Sequence, residues 1–392
     1  MDISSEMIHS LLPVFMVTAL GASALTVGLI EGAGEATALL VKLVSGTWSD
    51  RLGRRKPLAL AGYALGALSK PLFALAGSPG MVLGARLLDR VGKGLRGAPR
   101  DALVADIAPP ALRGAAFGLR QSLDTVGAFL GPLLALGLML LWDNDFHAVF
   151  WVAIVPGLLA VALLWAGVEE PQRPHPAGPP AAQGQGQVQG QAAEASASPA
   201  TPTPLPAACW AVVALGAAFT LARVSEAFLV LRVQQGGLGL AWTPLVLVGM
   251  NLVYALAAYP LGRLADRVSH HRLLALGLGL LVAADLALAA GTHWATLGLG
   301  IVLWGLHMAM TQGLLAAMVA DTAPPERRGT AYGWFNFVSG VAMLVSGGLS
   351  GLLWDRWGAP MTFAASAAFA VLTLGLLALM RLARRTPPRR GD

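Results

Sequence analysis

The chain has 392 residues, of which 56% are hydrophobic and 12% charged, with a formal charge of +6. Soluble domains carry about 25% charged residues, so an ordinary soluble domain is excluded. The cations sit in short hinges between apolar runs, which argues against nucleic-acid binding, and the single cysteine, Cys209, permits neither an intramolecular disulfide nor a thiolate metal cage.

A membrane-spanning helix needs roughly 20 apolar residues, and such runs follow one another almost end to end. The first candidate is 1–20, carrying Asp2, Glu6 and His9; it has no basic leader region or Ala-x-Ala-like site to mark it as a cleavable signal. The second, 25–48, contains Glu31, Glu35 and Lys42, and the third is 58–76. The fourth, 81–107, is basic along its inner part (Arg86, Arg90, Lys93, Arg96, Arg100) and ends before Pro109 and Pro110. The fifth is 112–141 and the sixth 147–168, which closes a first unit of residues 1–168. Residues 169–206 are Pro, Gly, Gln, Ala and Ser with almost no large apolar side chain, a composition that cannot offset its ordering entropy and predicts a disordered tether. Six further runs, 207–233, 244–264, 273–290, 297–320, 330–353 and 361–382, make a second unit of residues 207–382. Residues 383–392 are an Arg-rich tail suited to anionic lipid.

Lys and Arg collect in alternate hinges, near 51–56, 96–113, 267–272 and 327–328, and in the C-terminal tail. The opposite turns are nearly free of them, with Asp355–Arg356 a mild exception. The positive-inside rule therefore places both termini and the tether in the cytoplasm of a plasma-membrane protein.

The two units repeat one another. Residues 104–118, Val-Ala-Asp-Ile-Ala-Pro-Pro-Ala-Leu-Arg-Gly-Ala-Ala-Phe-Gly, return at 319–333 as Val-Ala-Asp-Thr-Ala-Pro-Pro-Glu-Arg-Arg-Gly-Thr-Ala-Tyr-Gly. Gly46, Asp50 and Arg51 return as Gly262, Asp266 and Arg267 at nearly the same offset, so a whole half is duplicated. Two like-oriented halves of six spans suit a transporter whose substrate path lies between them.

The 46–56 hinge resembles the loop signature of the major facilitator superfamily (MFS), Gly-x-x-x-Asp-Arg-x-Gly-Arg-Arg-Lys. Arg86 resembles that superfamily's fourth-helix arginine, and Gly127-x-x-x-Gly131-Pro132 its antiporter motif. The resemblance covers about 2–382. It implies an all-α membrane fold of twelve transmembrane helices in two pseudo-symmetric six-helix halves. It also implies a cytoplasmic gate formed by Gly46, Asp50, Arg51, Gly53, Arg54 and Arg55, with Asp266 and Arg267 in the second copy. That second copy replaces Gly-Arg-Arg-Lys by Ser269-His270-His271-Arg272, which leaves the full gating role to the first.

Charges inside spans are candidates for chemistry, because a charge at mid-bilayer costs about 3 kcal/mol or more. Glu31 and Glu35 share a helix face, and two adjacent carboxylates in low dielectric disfavour double ionisation, as a proton carrier requires. The alternative is that Lys42 neutralises Glu35, or that Glu31 lies among outer headgroups. Glu6 is expected to face the same cavity. Arg86 with Asp89, Arg223 with Glu226, and Arg120 with Asp124 are spaced as intrahelical ion pairs. Arg223 and Glu226 occupy the first span of the second half, opposite Glu6. His9 and His307 read as helix-packing hydrogen-bonders, and Gly127 and Gly131 also fit small-residue helix packing.

No Gly-x-x-x-x-Gly-Lys-Ser/Thr loop, His-Glu-x-x-His or Gly-x-Ser-x-Gly motif occurs. The expectation is a secondary transporter, not an enzyme, without cofactor or resident metal. It would act on a small-molecule substrate with the proton as coupling ion, be embedded in membrane lipid and work as a monomer. Export by antiport is the first reading. A cation or metal exporter using the same carboxylates, and a non-transporting sensor of the same fold, remain alternatives.

Overall fold

The computed structural model describes residues 1–52, 54–109, 112–170, 204–265, 268–324 and 327–385, and among them the regular structure is helical. Fifteen α-helices form a bundle: α1 (Asp2–His9), α2 (Leu12–Thr18), α3 (Ala24–Leu52), α4 (Lys56–Ala74), α5 (Pro79–Ile107), α6 (Arg113–Leu141) and α7 (Phe146–Gly167), then α8 (Ala207–Leu221), α9 (Glu226–Gln235), α10 (Pro244–Ala265), α11 (His270–Ala290), α12 (Trp294–Thr311), α13 (Leu314–Thr322), α14 (Arg328–Trp357) and α15 (Ala359–Arg385). We call α1–α7 the first half and α8–α15 the second. Most of the expected tether and tail lies outside the described residues.

Nine segments among the described residues are long and apolar enough to cross a membrane. The rods 1–18, α4 and α5 are not among them, for visible reasons: the first is interrupted, α4 carries Lys56 and Lys70, and α5 carries a row of cations. Lipid exposure is marked by two belts of tryptophan, as amphipathic rings prefer interfaces. Trp48, Trp165, Trp210 and Trp334 are exposed at the end bearing the 51–56 hinge, and Trp142, Trp242, Trp294 and Trp357 at the opposite end.

Three of the expected continuous spans are broken. The first stops at His9 and restarts at Leu12, with Pro13 in the opening turn of α2. The seventh unwinds over 222–225, and the tenth breaks at Gly313, whose φ of +84° suits a residue without a Cβ. Backbone groups freed inside a membrane need partners. In the seventh rod Ser366 donates to the Ala222 carbonyl at 2.6 Å and Ser346 to the Arg223 carbonyl at 3.2 Å.

The halves meet through α3 against α14 and α6 against α10. Close α3–α14 contact runs from Ala24 with Gly351, through Gly28 with Gly347, to Ala36 with Gly340. Beyond that, toward the hinge, a Cβ on Gly333 or Gly329 would meet nothing within 4 Å. The bundle is thus sealed at the end opposite the hinge.

Candidate functional site

Beneath that seal lies a cavity of about 430 Å³ between the halves. Its first-half wall is charged, with Glu6, His9, Glu31, Glu35, Arg86, Arg90 and Lys93. Its second-half wall is mostly apolar but holds Arg223, Glu226, Gln312 and Ser346. A second cavity of about 440 Å³ continues toward the hinge end and shares Glu6, Glu35, Lys93, Met308 and Gln312 with the first.

The charged wall is an ordered network. Arg86, buried in α5, is bonded to Glu31 and lies 4.0 Å from Glu35. Arg90, one turn on, reaches Glu35 at 3.2 Å. Gly34 lets α3 come this close, since a Cβ there would lie 3.1 Å from Arg86 Cγ and 3.2 Å from Arg90 Cγ. Behind them Lys70 of α4 pairs with Asp89 at 2.8 Å and donates to Ser5 at 3.0 Å, both ions being buried. His9 stands at the crossing point: Nε2 is 3.5 Å from Asp89, while Nδ1 is 3.8 Å from Glu6 and 3.5 Å from Arg90. Near the hinge end Arg96 lies 3.6 Å from Asp2 and covers the Tyr63 ring, and Arg120 meets Asp124 at 3.1 Å, the expected intrahelical pair.

Several sequence expectations change. Arg86 and Asp89 do not pair with each other; they point to opposite partners, Glu31 and Glu35 on one side and Lys70 and His9 on the other. Glu31 and Glu35 each face an arginine, so Lys42 is not the partner of Glu35. Arg223 and Glu226 do approach to 3.6 Å, but across the unwound 222–225 segment instead of along a helical turn. His9 is a network member, whereas His307 is the packing histidine expected, with Nδ1 2.7 Å from the Gly277 carbonyl. Lys70 escaped attention although, as a charge within an apolar run, it meets the criterion that singled out Glu35.

The motif glycines of α6 seat α1. A Cβ on Gly127 would lie 2.9 Å from Asp2 Cβ, and one on Gly131 would lie 2.7 Å from Glu6 Cβ. Pro132 follows within the same helix. At the hinge, Gly46 faces Ala98 of α5, Arg54 is exposed, and Arg55 pairs with Asp106 at 3.1 Å. Glu170 accepts the Arg55 and Lys56 backbone N–H groups at 2.6 and 2.7 Å. The side chains of Asp50 and Arg51, and Gly53, Asp266 and Arg267, lie outside the described residues.

The chain matches the family model of the Major Facilitator Superfamily over residues 1–250 and 237–392. It is 29% identical to the MFS-type transporter MJ1317 of Methanocaldococcus jannaschii over 387 residues, 96% of this chain and 91% of the relative. Over 158 residues, 40% of this chain and 38% of the relative, it is 32% identical to the multidrug resistance protein MdtH of Photorhabdus laumondii. A mutant of the nucleoside transporter NupG shares its fold, with a TM-score of 0.76 over 96% of both chains at 13% identity. With the helical bundle and the paired charged cavities, these matches make the chain a member of the major facilitator superfamily, and so a membrane transporter of small molecules and not an enzyme.

Proposed function

We propose that the protein is a proton-coupled exporter working by alternating access in the plasma membrane. The observation that carries this reading is the central cavity, sealed by α3 and α14 at one end and lined by carboxylates of both halves. Twelve spans are counted by taking α1 with α2, α8 with α9 and α12 with α13 as single broken rods, giving six per half on either side of the 169–206 tether. The cation-rich hinges assign the open end to the cytoplasm, and the signature residues Gly46, Asp50, Arg51, Gly53, Arg54 and Arg55 gate it, with Asp266 and Arg267 as the weaker copy. Antiport rests on the Gly127–Gly131–Pro132 motif and on the partial match to a multidrug resistance protein.

Coupling has a physical basis in the cavity. Glu226 of the second half lines the same cavity as Glu6 and Glu35 of the first, and Glu6 has no arginine within ion-pairing distance among the described residues. Like charges on opposing walls resist closure of the cavity, since Coulomb energies rise as water is excluded. A proton on Glu35 or Glu6 removes that resistance, as does a positively charged group of the substrate, so proton and substrate compete for the same acids. Arg86 and Arg90 hold Glu31 and Glu35 in place between cycles, and Arg223 does the same for Glu226.

The test uses protein in proteoliposomes, as a single chain per transport unit, with a pH-sensitive dye inside and an imposed proton gradient. Addition of substrates from a panel of amphipathic drugs and metabolites is expected to drive proton flux in wild type and not in Glu35→Gln. Full flux in both Glu35→Gln and Glu6→Gln overturns the coupling assignment. Binding without flux across the panel identifies a sensor of the same fold.

A further inference from the structure

Resting on that reading of the cavity, we infer that its ligand is an amphipathic zwitterion, with its acidic group on Lys93, its ammonium on Glu6 and its apolar body on the second half. The argument starts from which charges are already spent. Glu31 is bonded to Arg86, Glu35 to Arg90, Asp89 to Lys70 and Glu226 to Arg223. Two charges of the wall remain. Lys93 is exposed on α5, lines both cavities, and has no carboxylate within ion-pairing distance among the described residues. Glu6 also lines both cavities and has His9, 3.8 Å away, as its sole ion-pair partner among the described residues.

A free ammonium and a nearly free carboxylate on one wall are complementary to a ligand bearing both charges. A simple cation at Glu6 leaves Lys93 unpaired and is repelled by it; a simple anion at Lys93 leaves Glu6 unpaired and is repelled by it. The zwitterion satisfies both groups, and charge-assisted contacts of this kind are the strong ones. The facing wall supplies Phe219, Val230, Leu247, Met308 and Met343, an apolar surface with adaptable methionines suited to a hydrocarbon body. A cavity of about 430 Å³ accommodates a molecule of drug size. The ammonium on Glu6 is also the group a proton would displace, so the same residue reads head-group and coupling ion.

The experiment is equilibrium binding by titration calorimetry on purified full-length protein, with three probes that share one apolar body. These are 4-phenylphenylalanine (zwitterion), its N-acetyl derivative (anion) and its amide (cation). The zwitterion is expected to bind about tenfold more tightly than either relative, the loss of one charge-assisted contact each. Lys93→Met is expected to abolish the preference over the amide, Lys93→Arg to keep it, and Glu6→Gln to abolish the preference over the N-acetyl form. Equal binding of the zwitterion and either relative overturns the inference, as does binding of none of the three or preferences unmoved by the variants. Because binding is read without flux, its failure is distinct from failure of proton-coupled transport. A selective binder without flux leaves the ligand class standing, and flux of a pure cation alone leaves the transporter standing.

Discussion

Gly28 of α3 and Gly347 of α14 pack backbone to backbone: a Cβ on Gly28 would lie 2.0 Å from the Gly347 carbonyl oxygen, and one on Gly347 would lie 2.2 Å from that of Gly28. Gly32 and Gly351 extend the contact by one turn each way, with the carbonyls of Met343 and Ala24 against them. Small residues allow this approach in a membrane, where packing rather than water drives helix association. No side chain fits while the seal is closed. Gly347→Leu is therefore expected to favour the state opened on that side. Spin labels at Gly77→Cys and His293→Cys, in a Cys209→Ser background, would report it as a lengthened distance; an unchanged distribution sinks the idea.

Asp355 strengthens the same seal electrostatically. Its carboxylate, on the last turn of α14, accepts the Ala24 and Leu25 backbone N–H groups of α3, both at 2.9 Å. The first N–H groups of a helix lack partners within it, and a negative charge there also meets the positive end of the helix dipole. Removing such a cap costs about 1 kcal/mol, roughly a fivefold change in a two-state ratio. Asp355→Ala should shift the same spin-label populations in the direction of Gly347→Leu, by less. No shift, or a shift toward the sealed state, contradicts a latch.

The sequence discloses the outline of this machine more readily than its contacts. The 46–56 hinge and the 104–118 repeat lead to the family, and apolar run length finds the helices. The break at 222–225 stays hidden because hydropathy continues through it; only Pro13 and Gly313 hint at the other two. The cavity acids are visible as intramembrane charges, but their partners are not. Arg86 prefers Glu31 to Asp89 because α3 and α5 come together at Gly34 and Gly94, a contact that spans some fifty residues of chain and leaves no local pattern. The Asp355 cap joins residues 331 apart, beyond the reach of any spacing rule.

The Lys70–Asp89 pair sets a limit on what the network tolerates. Both ions are buried, and Lys70 is fully so. Breaking such a pair from one side leaves a charge without compensation, at roughly 3–5 kcal/mol, while replacing both members is often neutral. Asp89→Ala is expected to lower the Tm of the purified protein strongly, and Lys70→Met in the same chain to restore most of it. If the double variant is no more stable than Asp89→Ala alone, the pair is not the source of the loss.

Two glycines of α6 give a matched comparison for the seat of α1. Gly131 and Gly137 both sit inside one helix, so changing either to Ala brings the same intrinsic gain of about 0.5–1 kcal/mol. Their surroundings differ. A Cβ on Gly137 would meet nothing within 4 Å, whereas one on Gly131 would lie 2.7 Å from Glu6 Cβ, 2.8 Å from the Ile3 carbonyl oxygen and 3.1 Å from Met7 N. Two of those atoms are backbone, so α1 itself must retreat, displacing Glu6 and His9 together. Gly137→Ala should therefore leave substrate flux unchanged and Tm unchanged or raised. Gly131→Ala should lower flux several-fold through displacement of Glu6, and Gly131→Val further. Equal behaviour of the two alanine variants would show that the motif glycine serves helix geometry alone and that the position of Glu6 does not depend on it.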